Sequence, residues 1–136
     1  MANNPLAYDA GLIAALNAWT AQLHSGYIVV YTGSQPVLDG SLTGTLLVTL
    51  TFGSTAFATA TAGAGTVTAT ANAITSGVAG NSGTAAYFAL LKSDATTVVL
   101  TGTVGTSSAD FIGPSTAITS GATISCSAFQ IMQPQT

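Results

Sequence analysis

Near the N-terminus the apolar residues return at helical spacing. At 100° per residue, Tyr8, Leu12, Leu16, Trp19 and Leu23 fall on one narrow stripe. The spacing predicts a helix over residues 4–25. Asn4 before Pro5 offers a cap and a proline suited to the first helical position. At the other end, His24 falls in the last turn, and Gly26 lies where a left-handed C-terminal cap belongs. The arc opposite the stripe carries Ala10, Ala14, Ala18 and Ala21 in place of Lys and Glu. Such a row of small residues admits close approach by another surface, although alanine also simply favours helix.

From Tyr27 onward the period changes to two. Tyr27 to Thr32 is short and rich in aromatic and branched residues, and it ends at Gly33, Ser34 and Pro36. Asp39-Gly40 marks a turn within a loop from Leu38 to Gly44. In Thr45 to Phe52 the alternation puts Leu46, Val48, Leu50 and Phe52 on one face and Thr45, Thr49 and Thr51 on the other. Ala56 to Thr61 reads as a weaker strand. In the next one, Thr66, Thr68 and Thr70 alternate with Val67, Ala69 and Ala71. A Gly- and Ser-rich loop, Ser76 to Gly83, precedes a strong strand at Thr84 to Leu91. Lys92-Ser93-Asp94-Ala95 then turns the chain into Thr96 to Val104. Short pieces near Phe111 and Ile118 follow a loop, and a last strand runs from Ala122 to about Met132, before Pro134.

Seven to nine short strands with turns every 8–12 residues or so form the pattern of a sandwich or barrel. The expectation is one domain over residues 1–136: mainly β, an antiparallel β-sandwich or jelly roll over 27–132, with one N-terminal α-helix. The 136-residue length and 48% apolar content are enough for a core without disulfides.

Charge changes the picture most. Only Asp9, Asp39, Asp94, Asp110 and Lys92 carry a full charge at neutral pH, 4% of the chain, where an ordinary soluble domain has about a quarter. Proteins that remain dispersed usually keep their surfaces charged. The deficit implies an exterior largely covered by partners. One lysine cannot displace the counterions of nucleic acid, nor form a basic patch for anionic membranes. Cys126 is the single cysteine, so no disulfide forms within the chain. The N-terminus lacks the positive region of a secretory signal, and no apolar run reaches membrane-spanning length. The expectation is a soluble protein assembled in cytoplasm.

The same deficit removes most of the means of catalysis. His24, the only histidine, would have to act as base, but at a helix end its ring is placed to complement the helix dipole. Asp39 and Asp94 fall in turns, where aspartate bonds nearby amides; Asp110 lies in a loop and Asp9 in an early helical turn. One His and one Cys are too few for a zinc site, and no calcium-loop or phosphate-binding motif is present. No catalytic, metal or cofactor residue is expected, and no small-molecule substrate. Thr49/Thr51, Thr59/Thr61, Thr66/Thr68/Thr70 and Thr101/Thr103 repeat Thr-x-Thr as ice-binding arrays do, but at irregular spacing. Threonine is also a good strand former. Tyr27, Tyr31 and Tyr87 lie in apolar strands, which favours core or interface over sugar binding.

Several segments resemble a family of small virion proteins of tailed bacteriophages. The likeness is carried by Gly26-Tyr27-Ile28-Val29-Val30-Tyr31-Thr32-Gly33-Ser34-Gln35-Pro36 and by Gly44-Thr45-Leu46-Leu47. It continues through Gly83-Thr84-Ala85-Ala86-Tyr87-Phe88 with Ser93-Asp94, and through Ile118 with Gly121-Ala122-Thr123-Ile124-Ser125. Similar sequences often carry Arg where this chain has Ala89, and Asp-Gly where it has Asp94-Ala95. The resemblance implies a capsid cement or decoration protein, a β-sandwich or jelly-roll module on the outer shell. The partners implied are itself, as a dimer or trimer, and the major capsid protein. The expected location is the capsid surface of the virion. Ala10, Ala14, Ala18 and Ala21, with Pro5 and Pro134 near the termini, are the candidate interface residues. A tail or neck protein of the virion is the nearest alternative; a carbohydrate- or ice-binding β module is a more distant one.

Overall fold

The computed structural model describes residues 9–37, 39–63, 65–107, 111–112, 115–126 and 129–134. One helix, α1 (Asp9–Ala21), precedes strands β1 (Tyr27–Tyr31), β2 (Leu46–Phe52), β3 (Thr61–Gly63) and β4 (Thr66–Thr70). Four short strands and one longer one follow: β5 (Ile74–Thr75), β6 (Gly77–Val78), β7 (Gly83–Thr84), β8 (Tyr87–Leu91) and β9 (Val98–Gly105). The chain closes with β10 (Phe111–Ile112), β11 (Ala117–Ile118), β12 (Thr123–Ile124) and β13 (Gln130–Pro134). The protein is mainly β with one helix near its N-terminus.

The principal sheet has the order β10-β9-β8-β1-β2-β5, antiparallel except where β10 runs parallel to β9. A second sheet, β13-β4-β3, is antiparallel throughout, and two small ribbons pair β11 with β7 and β12 with β6. The main core joins Ile28, Val30, Leu50 and Phe88 of the first sheet to Val67, Ala69 and Ile131 of the second. The helix rests against β4 and β3. Leu16 and Leu23 are buried in the core and Leu12 and Trp19 pack against it, so the apolar stripe is the inward face; Tyr8 and Pro5 lie outside the described residues. The Asn17 side chain accepts the Ala60 amide at 2.8 Å and ties the helix to the approach to β3.

Several expected elements are interrupted. The strand expected from Thr84 to Leu91 is broken at Ala85-Ala86, where Ala85 bonds to Thr116 and Ala86 to Tyr31. That expected from Ala122 to Met132 becomes β12 and β13, and Pro134 is paired with Thr66 rather than beyond the strand. Because, among the described residues, β13 pairs only on its β4 side, a residue without an N–H is tolerated there. Ala56 to Thr61 is mostly irregular, with an isolated bridge between Phe57 and Ala71. The Ser76 to Gly83 segment contains β6 and opens β7. The result is thirteen strands among the described residues, six of them two residues long.

Leu46 is a further correction. It is 38% exposed while Leu47 is 1% exposed. The register jumps from Val30↔Val48 to Tyr31↔Leu46, so Leu47 is an extra residue that reverses the facing of everything before it. From Val48 to Phe52 the expected alternation holds, as it does in β4.

The second face of the principal sheet is also covered. Val29, Ala89 and Leu91 form a small cluster against which Tyr27, Tyr31 and Leu42 pack. The β1–β2 loop lies over it: the Tyr87 hydroxyl donates to the Thr43 carbonyl and accepts the Thr43 amide, and Gln35 donates to Thr101 Oγ1 at 2.9 Å. This explains why every residue of β8 is buried. The Tyr31 and Tyr87 rings stack at 5.4 Å. Burial, and secondarily Tyr87, raise the Tyr31 pKa above its ordinary value.

The β8–β9 turn is held by Asp94, whose carboxylate accepts the amides of Thr96 and Thr97, each at 2.8 Å, and the Thr97 hydroxyl. These bonds, the Thr97 hydroxyl first, hold its pKa down to about 2. Because the folded value is depressed, the turn keeps this support above the ordinary carboxylate range and loses it as pH falls through about 2. Ala95 sits at φ 59°, in the left-handed region that costs a non-glycine residue about 1–2 kcal/mol. Ala95→Gly is therefore expected to raise stability by about 0.5–1 kcal/mol after glycine's own entropic cost. Chemical denaturation should show a higher midpoint at unchanged slope.

Candidate interaction surfaces

The helix turns its alanines outward. Ala10, Ala14, Ala18 and Ala21 are all exposed, as is Ala15 between them. This follows from the stripe: once Leu12, Leu16, Trp19 and Leu23 face the core, the opposite arc must face away. No long side chain from this arc holds a neighbour at a distance. Pro134, the other expected contact within the described residues, lies at the far end of β13.

His24 does not occupy the last helical turn. The helix ends at Ala21, and the chain continues through turns closed by Leu23 N to Thr20 O at 3.0 Å and Gly26 N to Leu23 O at 2.8 Å. Instead of facing the final carbonyls, the His24 ring accepts the Ala56 amide on Nδ1 at 3.0 Å. It joins the helix exit to the segment after β2, a positioning contact for the backbone. The left-handed residue of this exit is Ser25, at φ 56°, and not Gly26.

The remaining chemistry-bearing groups are dispersed. Asp39 is exposed at φ 62° in a turn closed by Gly40 N to Val37 O at 2.8 Å. Asp94 is occupied by its own turn. Asp9 is the first residue of the described helix, and Asp110 lies outside the described residues. Cys126 is half-buried against the main core. Among the described residues no three His, Cys, Asp or Glu side chains come together, and no helix is long and apolar enough to cross a membrane. A cavity of about 290 Å³ at one end of the core is lined by Val30, Leu50, Ala85, Ile118 and Ile124, with serines and a threonine at its polar side.

Against known proteins, the chain matches no family model, no curated protein and no solved structure. What the fold and surface define is a class: a mainly-β domain with a helix whose outer face is bare alanine. The segments that carry the phage resemblance are drawn together by the fold. Thr32 and Thr45 bond through Thr32 N to Thr45 O at 3.1 Å and Thr45 N to Thr32 Oγ1 at 2.9 Å. Gly44, at φ 93°, lies so close that a Cβ would stand 2.2 Å from the Thr32 carbonyl oxygen. Gly83 and Ile118 pair across the β7–β11 ribbon. These residues serve turns and close approaches. Ala89 is fully buried beneath the β1–β2 loop, which leaves no solvent path for a charged group at this position.

Proposed function

We propose that this protein is a structural component of a tailed-phage virion, a capsid cement or decoration protein that stabilises the head by bridging capsomers. The observation that carries the reading is the outward alanine row on a chain with 4% charged residues. A surface without charges or long side chains can approach a partner closely and lose little by being covered. Apolar burial contributes about 25 cal/mol per Å² and a standard interface covers about 1,600 Å², so contacts of this kind hold without ion pairs. They also weaken little as salt rises. Many copies on a symmetric shell add avidity, and each contact can then be modest. The segments resembling phage virion proteins point the same way. No catalytic, cofactor or metal role belongs to this reading.

The test uses virions with and without the protein. Particles lacking it are expected to rupture at a lower temperature and to tolerate less internal pressure. Equal robustness would overturn the cement role. Copy number separates shell from tail: hundreds per particle support the head, whereas a few dozen or fewer would move the protein to the tail or neck.

A further inference from the structure

The principal sheet ends on one side in an edge that is open over most of its length. β9 bonds to β8 throughout, but on its other side β10 pairs only with Val104 and Gly105. The Val104 amide donates to the Ala86 carbonyl at 2.9 Å. Inward and outward residues alternate along an antiparallel strand, so Gly102 also faces β8 and Thr101 turns its N–H and C=O away from it. Among the described residues no strand or loop pairs with the backbone of β9 from Val98 to Gly102 on this side.

A cavity of about 670 Å³ lies along the same edge, and its walls come from both faces of the sheet. Leu100 pairs with Leu90 on the main-core face, where Trp19 also packs. Thr101 pairs with Ala89 on the other face and is bonded by Gln35, beside Pro36 and Val37. Val37 is 81% exposed and Val98 39% exposed, so two of the few large apolar side chains left in solvent stand on the rim of this one slot. Among the described residues, Asp39 is its only charged lining residue.

Backbone groups presented in a row call for an extended segment, and a slot of this lining calls for one without charge that carries apolar and hydroxyl side chains. β9 itself, Val98-Val99-Leu100-Thr101-Gly102-Thr103-Val104-Gly105, answers both requirements. It carries no lysine and no proline, two of the devices that keep natural sheet edges apart. The strand itself is uncharged, so two β9 strands meeting here would oppose no like charges. We propose that β9 is a self-pairing edge: a second copy adds its own β9 antiparallel, Val98–Gly102 against Val98–Gly102, continuing the principal sheet from one protomer into the other. The outward N–H and C=O of each Thr101 are then paired by the other protomer, and Val37 and Val98 are covered. The inference rests on the backbone geometry of β9 and not on the virion reading, and either stands if the other fails.

Sedimentation equilibrium over a concentration series tests it, on the full chain and on three variants. Thr101→Pro removes the outward N–H while sparing the bonds to β8, and Val98→Lys places a charge on the edge. Both are expected to weaken the dimer by about tenfold or more, with circular dichroism and melting of the monomer retained. Ala14→Lys, on the helix face, should dimerise as the parent does. A parent protein that stays monomeric at its solubility limit overturns the proposal, as does assembly as a trimer. Dimers that survive Val98→Lys but are lost in Ala14→Lys do so too. Should Thr101→Pro unfold, Val98→Lys carries the decision alone.

Discussion

Phe88→Ala is expected to lower the unfolding free energy by about 3–5 kcal/mol, the range for deleting a buried phenylalanine. Phe88 is 2% exposed and belongs to a run of rings that crosses the core. It meets Phe129 edge-on at 5.7 Å and 89°; Phe129 meets Phe57 at 6.2 Å, and Phe57 meets Phe52 at 5.4 Å. Phe52 and Phe88 stand on β2 and β8 of the principal sheet, whereas Phe129 directly precedes β13 of the second. The run is therefore a junction between layers, and edge-to-face pairs add about 0.5–1.5 kcal/mol each beyond their buried area. Alanine would leave a void that the paired backbone of β8, held by β1 on one side and β9 on the other, cannot close. Urea denaturation should show a lower midpoint with little change in slope. A loss under about 1 kcal/mol would mean that the layers are held mainly elsewhere.

The parts of this fold that could be read in advance are those set by local periodicity. The helical stripe became the inward face because its described positions, Leu12, Leu16, Trp19 and Leu23, lie on one side whatever they pack against. Val67 and Ala69 went inward and Thr66, Thr68 and Thr70 outward because β4 runs unbroken between β3 and β13. Where the expectation failed, the deciding partner lay far along the chain. Leu46 faces outward because of one extra residue opposite β1, and a period-two pattern contains nothing that marks such an insertion. Ala89 and Tyr87 are buried by a loop more than forty residues earlier, through a hydrogen bond between Thr43 and Tyr87. The alanine row was legible for the same reason as the stripe. The open side of β9 was not, since an edge is defined by which strands fail to pair, a property of the whole sheet. The charge count bears on both surfaces. A chain with five formal charges has few means to discourage association at either its helix face or its sheet edge.

Gly26 shows how a residue can be singled out for the wrong physical reason and still matter. Glycine just beyond a helix suggests a left-handed cap, yet the left-handed conformation belongs to Ser25, and Gly26 opens directly into β1. Its requirement is space. A Cβ at this position would stand 2.2 Å from the Leu91 carbonyl oxygen and 2.8 Å from that of Leu23. Both are backbone atoms, and neither can rotate aside. Leu91 is the last residue of β8, paired with Tyr27, while Gly26 donates to Leu23 and its carbonyl accepts the Phe52 amide at 2.9 Å. Relief would need the helix exit to part from the sheet, or β8 to part from β1. Overpacking in a well-packed core costs about 1–3 kcal/mol, and with rigid atoms on both sides Gly26→Ala should reach or exceed about 3 kcal/mol. Gly11→Ala, where a Cβ meets nothing within 4 Å, is the matched control, and within α1 it should stabilise the protein by about 0.5–1 kcal/mol. Thermal melts of the two variants should move in opposite directions. A Gly26→Ala protein that melts with the parent would show that the helix exit is free to shift, and that α1 is less firmly joined to the principal sheet than its contacts with Leu91 and Phe52 require.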